Sequence, residues 1–407
     1  MQGRKLLVFA APGQGAQAPG FLTPWLELPG FVDRLAGWSG LAGCDLIAAG
    51  TVAGAEEIRD TAVAQPLLVA AAIAAAEALG RGLDFPRRQG GIAAGHSVGE
   101  LAAGAIAGVL TPEDAMRLVA VRSQAMARAA AAEETGMTAV LGGDESEVLA
   151  AIEARGLTPA NINAAGQIVA AGTLAQLAAL AADPPAGARL RPLSVAGAFH
   201  SRHMAPAVSA LREAAAGVSV ADPAMMLLSN LDGAAVTSGA DWLERIIAQV
   251  SAPVRWQECM RTIAGEGAGA FVELLPGGTL AGLARRALPG VATVALKTPD
   301  DLAAARSLIA EHGAPSPDEN GHLPEWRLLV APQDGTFRAA QAGHPGQALT
   351  AGAAVASGAA LGHVEVRSGQ HAIAPTFAGT IIEWLVEDGD PVNAGQPLVR
   401  LQPEGAE

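Results

Sequence analysis

One stretch constrains the fold more than any other. Residues 92–110 read IAAGHSVGELAAGAIAGVL: a short apolar run, a serine between two glycines, then Ala and Leu at helical spacing. Gly95-His96-Ser97-Val98-Gly99 fits the G-x-S-x-G pattern. In that pattern a strand turns sharply into a helix with the serine at the apex, and small neighbours relieve the crowding. Such a turn belongs at the C-terminal end of a strand in an α/β sheet. Three readings of Ser97 follow: an ordinary turn serine, the nucleophile of a hydrolase, or the nucleophile of an acyl transferase.

The rest of the first 130 residues agrees with an α/β pattern. KLLVFAA at 5 and GIAAG at 91 read as buried strands, and AQPLLVAAAIAAAEAL at 64 reads as a helix. Residues 137–198 run through strand, helix, two strands, helix and strand, the order of a ferredoxin-like subdomain inserted in the core. With 50% hydrophobic residues and only 3% aromatic ones, the core is built from Ala, Leu, Val and Ile. The two cysteines, Cys44 and Cys259, are far apart, so neither a disulfide framework nor a metal site is expected. The apolar run after Arg4-Lys5 is too short for a signal peptide, and Leu67 to Leu79 is too short to cross a membrane. We expect a cytoplasmic protein with no membrane partner. The net charge of −14 argues against nucleic acid. Gly13-Gln14-Gly15 could begin a dinucleotide fingerprint, but Pro19-Gly20 follow where a helix must open.

Two further residue types bear on the serine. TPEDAMRLVAVRSQAMAR at 111 reads as a helix with Thr111 as N-cap, Pro112 at its first position and an apolar stripe of Ala115, Leu118, Val119 and Met126. Arg122 falls on that stripe. A guanidinium there is either one half of a structural ion pair or a fork for a substrate carboxylate, and position alone leaves both open. A serine also needs a base. His200 follows the apolar SVAGAF segment, where α/β sites gather, and His203 lies three residues on.

The motifs, taken together and in order, resemble the malonyl-CoA:acyl carrier protein transacylases of fatty-acid synthesis, over residues 5 to about 305. They are PGQGAQ at 12, AQPLL at 64, GHSVGE at 95, VRSQAM at 121, NINAAGQIVAAG at 161, GAFHSRHM at 197, AQVSAPVRW at 248 and LLPGGTL at 274. The resemblance implies an α/β-hydrolase-like acyltransferase core over residues 1–312. It implies Ser97 as nucleophile and His200 as base, with the backbone N–H groups of Gln14 and Val98 in the oxyanion hole. Arg122 would take the malonyl carboxylate, Asn163 and Gln249 would be polar site residues, and the Gln249 carbonyl would orient the histidine. Phe199 would limit the acyl group, and Glu100 reads as structural. Malonyl would pass from coenzyme A to the phosphopantetheine thiol of acyl carrier protein through a malonyl-serine, without a cofactor. The alternatives are a polyketide or malonate decarboxylase acyltransferase, or a pseudo-enzyme serving as a docking element. Because the carrier is acidic, Arg202, Arg255 and Arg285 are nominated as its local basic contacts.

Beyond a Pro/Gly/acid linker at 313–324, the style changes. Pro332 and Gly352 recur as Pro375 and Gly395, an internal repeat of short strands and glycine turns. Residues 325–407 resemble a biotinyl/lipoyl carrier domain, a small β-barrel. The hairpin that carries the modified lysine in such domains reads LGHVEVRSGQHAI here, and the chain has only Lys5 and Lys297. A degenerate domain without attached cofactor is expected.

Overall fold

The computed structural model describes residues 6–80, 91–312, 327–342, 347–366, 369–394 and 396–403. It divides into two units, Met1–Ala314 and Pro315–Glu407. The linker expected at 313–324 lies outside the described residues.

In chain order the strands of the first unit are β1 (Leu6–Ala11), β2 (Gly91–Gly95), β3 (Thr135–Gly142), β4 (Thr158–Ala164), β5 (Gln167–Thr173), β6 (Ala188–Pro192), β7 (Met226–Leu228), β8 (Ala235–Val236), β9 (Ala268–Glu273) and β10 (Ala292–Ala295). Six of them form one sheet in the order β10-β9-β1-β2-β7-β8, parallel except for the last pair. β1 shows why its sequence is a continuous apolar run. Leu7, Phe9 and Ala11 pack into one core, while Val8 and Ala10 pack into a second with Trp256, Ile263 and Phe271. A sheet covered on both faces gives up the alternation that a half-exposed strand shows. The Thr61–Gly80 helix is apolar and long enough to cross a membrane, but most of it is buried inside this unit.

The remaining four strands make a second, antiparallel sheet in the order β4-β5-β3-β6, with the Glu145–Ala154 and Leu174–Ala182 helices in the β3–β4 and β5–β6 connections. Val140, Ile152, Ile168 and Leu180 form its own small core. In sequence, ARLRPLSVA at 188–196 reads as one last strand. It stops at Pro192, on the sheet edge, because proline has no N–H for the ladder. Leu193 and Val195, in the segment that follows, line the catalytic cavity instead.

The second unit has two antiparallel four-stranded sheets. One takes Arg327–Val330, Pro397–Pro403, Gly379–Trp384 and Ala354–Val355. The other takes Gly369–Ile373, Gly362–Val366, Gly335–Ala339 and Pro391–Val392. Each sheet thus draws strands from both copies of the sequence repeat. Phe337, Val364 and Leu398 fill one core, and Leu361, Ile381 and Val399 a second.

Candidate active site

Ser97 sits where β2 ends and the Gly99–Ile106 helix begins. Its φ is 55°, a left-handed conformation that non-glycine residues rarely adopt. The turn is held from both sides by one distant residue. Asn230 Oδ1 accepts the Ser97 N–H at 2.8 Å, and Asn230 Nδ2 donates to the Gly95 carbonyl at 2.8 Å. The flanking glycines are steric requirements. A Cβ on Gly95 would overlap the backbone of Gly99 and Glu100, and one on Gly99 would overlap the Ala11 carbonyl of β1.

Ser97 Oγ lies 2.6 Å from His200 Nε2. His200 also has a positive φ, 58°, in the loop after β6. Its Nδ1 is 2.9 Å from the Gln249 carbonyl. A carbonyl only accepts, so Nδ1 carries the proton and Nε2 turns its lone pair to the serine. His203 lies elsewhere, with Nδ1 at 2.7 Å from Glu133.

Arg122 comes off the Pro112–Ala131 helix and is 1% exposed. Its guanidinium donates to Gln65 Oε1 at 2.6 Å, Gln249 Oε1 at 3.2 Å and Ser97 Oγ at 3.4 Å. No carboxylate lies within ion-pair distance of it among the described residues. Burial pushes its pKa down to about 10, against the pull of nearby Glu100, so it remains a cation at neutral pH. Burial pushes Glu100 up to about 8, against the pull of the Asn230 N–H and of the Arg122 charge. The His200 pKa falls to about 3, through burial first and then the Arg122 charge. The site therefore holds a neutral imidazole beside a cation that lacks an anionic partner.

Ser97 and His200 face a cavity of about 90 Å³ lined also by Gln14, Gln65, Asn161 and Phe199, among others, and Arg122 reaches its edge through Ser97 Oγ and Gln65. Gln14 lies on the loop after β1 and Val98 at the N-terminus of the Gly99–Ile106 helix. Their backbone N–H groups have no partner among the described residues. Asn163 does not line this cavity. Its Oδ1 meets His96 Nε2 at 2.8 Å, and it lines a neighbouring groove. Asn161, two residues earlier on β4, takes the cavity position, with its Oδ1 buried and unpartnered. Arg202, Arg255 and Arg285 are exposed and line none of the cavity.

Sequence reasoning missed Asn230, Asn161 and the role of Gln65, while Glu100 is structural, as its reading in sequence had it. Glu100 accepts the Asn230 N–H at 2.8 Å and contacts Gln249 Nε2, so it packs beneath the elbow. Gln65 was discoverable as the one amide in an otherwise apolar helix, and Asn230 as a polar residue just past a parallel strand. Asn161 had the same local signal as Asn163.

The acyl transferase domain family profile matches residues 8–301. The chain is 55% identical over 287 residues to the malonyl CoA-acyl carrier protein transacylase of Mycolicibacterium smegmatis, a match covering 69% of this chain and 98% of that one. It also resembles the crystal structure of MCAT from Mycobacterium tuberculosis, with a TM-score of 0.70, 53% identity, and coverage of 73% of this chain and 98% of that one. A type II polyketide malonyl-transacylase solved with its acyl-carrier protein, PlMCAT:AntF, matches with a TM-score of 0.69 at 28% identity, over 75% of this chain and 100% of that one. Residues 315–407 lie outside the family match. An elbow serine paired with a neutral histidine, a buried unpaired arginine and these likenesses agree: the chain belongs to the malonyl-CoA:acyl carrier protein transacylase family.

Proposed function

We propose that this enzyme transfers malonyl from malonyl-CoA to the phosphopantetheine thiol of acyl carrier protein through an ester on Ser97. His200 Nε2 takes the Ser97 proton as Oγ attacks the thioester carbonyl, then returns it to the departing thiol. The Gln14 and Val98 N–H groups stabilise the oxyanion. In the second half-reaction the carrier thiol gives its proton to His200, attacks the ester and releases Ser97. Phe199 bounds the acyl pocket and Asn163 acts through His96. The observation that carries this reading is Arg122: a buried cation beside Ser97 Oγ, with no protein carboxylate to neutralise it, fits the free carboxylate of malonyl.

Arg122→Ala tests it. Malonyl transfer should fall by about 2–4 kcal/mol of lost charge pairing, roughly 30- to 1,000-fold in kcat/KM. Acetyl, which has no carboxylate, should gain relative activity. Equal losses for malonyl-CoA and acetyl-CoA would make Arg122 structural. A second test is pH. An ordinary histidine charges near pH 6.5 and then ceases to be a base. Because burial and Arg122 lower the His200 pKa, the neutral base should persist below that value. Rapid-quench acylation rates should therefore hold from pH 7.5 to pH 5; a fall centred on pH 6.5 would contradict the account.

We read the antiparallel sheet of β3–β6 as a ferredoxin-like subdomain, supported by its strand–helix order and by the β4-β5-β3-β6 arrangement. The second unit reads as a biotinyl/lipoyl-like barrel, supported by two sheets that share strands from both repeats. Its hairpin Gly362–Val366/Gly369–Ile373 has no lysine to form an amide with biotin or lipoate. The domain boundaries are then 1–312 and 325–407. The setting is the cytoplasm, in keeping with the free Cys44 and Cys259.

A further inference from the structure

The PGQGAQ segment after β1 holds two glutamines. The transfer steps above use only the backbone of the first, Gln14, and Gln17 has no part in them. The chain turns back between Gly13 and Ala16, whose N–H meets the Gly13 carbonyl at 3.4 Å, and Gly15 takes the third position of the turn with a φ of 103°. A turn closed in this way leaves the N–H groups of its two middle residues, Gln14 and Gly15, without a partner inside it. Gln17 takes up one of them: its Oε1 accepts the Gly15 N–H at 2.8 Å. The Gln14 N–H has no partner among the described residues, so it alone of the pair is left for a substrate oxygen.

The other end of the Gln17 amide is tied down as well. Its Nε2 donates to the Ile58 carbonyl at 2.9 Å, and Gln14 Nε2 makes longer contacts to the Arg59 carbonyl at 3.3 Å and to Thr61 Oγ1 at 3.4 Å. These anchors are firm. Ile58 is buried in the main core, within a short helical turn, Glu57–Arg59. Asp60 follows it and accepts the Ala62 N–H at 2.8 Å, at the start of the Thr61–Gly80 helix. The same helix presents Gln65 to Arg122. On its opposite side the turn is wedged against the elbow, where a Cβ on Gly13 would lie 2.7 Å from the His96 carbonyl oxygen. One half-buried amide therefore joins the turn that carries the Gln14 N–H to a fixed part of the core.

We propose that Gln17 is a positioning residue for acyl transfer: by bonding the Gly15 N–H and the Ile58 carbonyl with one amide, it fixes the turn so that the Gln14 N–H meets the oxyanion. The proposal rests on the malonyl-transfer reading above and goes beyond it by naming what aims one of the two oxyanion donors. A donor stabilises the oxyanion only where it is already aimed at the place the charge develops, and a displacement of about 1 Å costs on the order of 100-fold in rate. The effect falls on both half-reactions, because an oxyanion forms in each.

Gln17→Met tests it, since it keeps the length and bulk of the side chain, removes both hydrogen bonds and leaves the core around Ile58 untouched. Single-turnover acylation by malonyl-CoA and discharge by holo carrier protein should each slow by about 10- to 100-fold, with the half-saturating concentration of malonyl-CoA unchanged. Acylation by acetyl-CoA should lose the same factor, because the Arg122 fork is not involved. The ester carbonyl of the malonyl-enzyme, read by isotope-edited infrared difference spectroscopy, should move to higher frequency as its hydrogen bond weakens. Unchanged rates would overturn the proposal, and so would a loss expressed only in the half-saturating concentration. Slower rates with an unshifted carbonyl would overturn it by making Gln17 a support for the fold alone. A loss for malonyl that acetyl does not share would overturn it by placing the effect at Arg122. Absence of a malonyl ester on Ser97 in the wild-type enzyme would overturn the malonyl-transfer reading itself, and the role of Gln17 with it.

Discussion

Ser97→Ala should reduce malonyl transfer to carrier protein by at least about 10⁴-fold, because no other hydroxyl is placed to form the ester. The loss should fall on chemistry alone. Asn230 bonds the Ser97 N–H and Gln249 the Ser97 carbonyl, and both bonds survive the substitution. Arg122 keeps its contacts to Gln65 and Gln249. The mutant should therefore fold normally and still bind malonyl-CoA. A stopped-flow transfer assay with a parallel binding measurement checks this. Retained transfer at a tenth of the wild-type rate would mean that another group carries the acyl unit.

His200→Ala should slow both half-reactions by about 10³-fold, within the range that a positioned general base supplies. The same imidazole removes a proton on attack and restores it on release. Its orientation comes from the backbone: Gln249 is held by Glu100, Asn230 and Arg122 through its side chain, while its carbonyl fixes the His200 tautomer. No carboxylate is needed as a third member, since the tautomer is already set. Single-turnover acylation and deacylation rates should drop together. If His203→Ala proves the more damaging change, the base has been misassigned; its contact with Glu133 gives no reason to expect that.

The parts of the site that could be read in advance are those with a local signature. The Ser97 elbow announces itself through Gly95 and Gly99, which the structure explains as points where a Cβ would meet backbone. Arg122 stood out because a charge on an apolar helix stripe violates the helix period. Its two readings could be separated only in three dimensions, where the neighbouring carboxyl, Glu100, proves to be buried with its pKa raised instead of forming an ion pair. The residues that escaped notice act across long sequence gaps. Asn230 reaches Ser97 over 133 positions, and Gln65 reaches Arg122 over 57. Nothing in the local pattern of either marks the partner. Asn161 and Asn163 look alike on one strand, and a bulge in the β4–β5 pairing between Pro159 and Asn161 and again between Ile162 and Ala164 helps decide what each meets. In the same way β6 looked longer in sequence than it is, because apolar residues after Pro192 serve the cavity and not the sheet.

The central claim is that malonyl rests covalently on Ser97 and leaves to a carrier thiol. Mixing the full chain with malonyl-CoA, trapping at low temperature and mapping peptides by mass spectrometry tests it directly. The account predicts one malonyl group on the peptide containing Ser97, formed in stoichiometric amount and discharged onto holo carrier protein faster than onto water. Malonyl on any other peptide, or discharge to water that the carrier does not outrun, would contradict it.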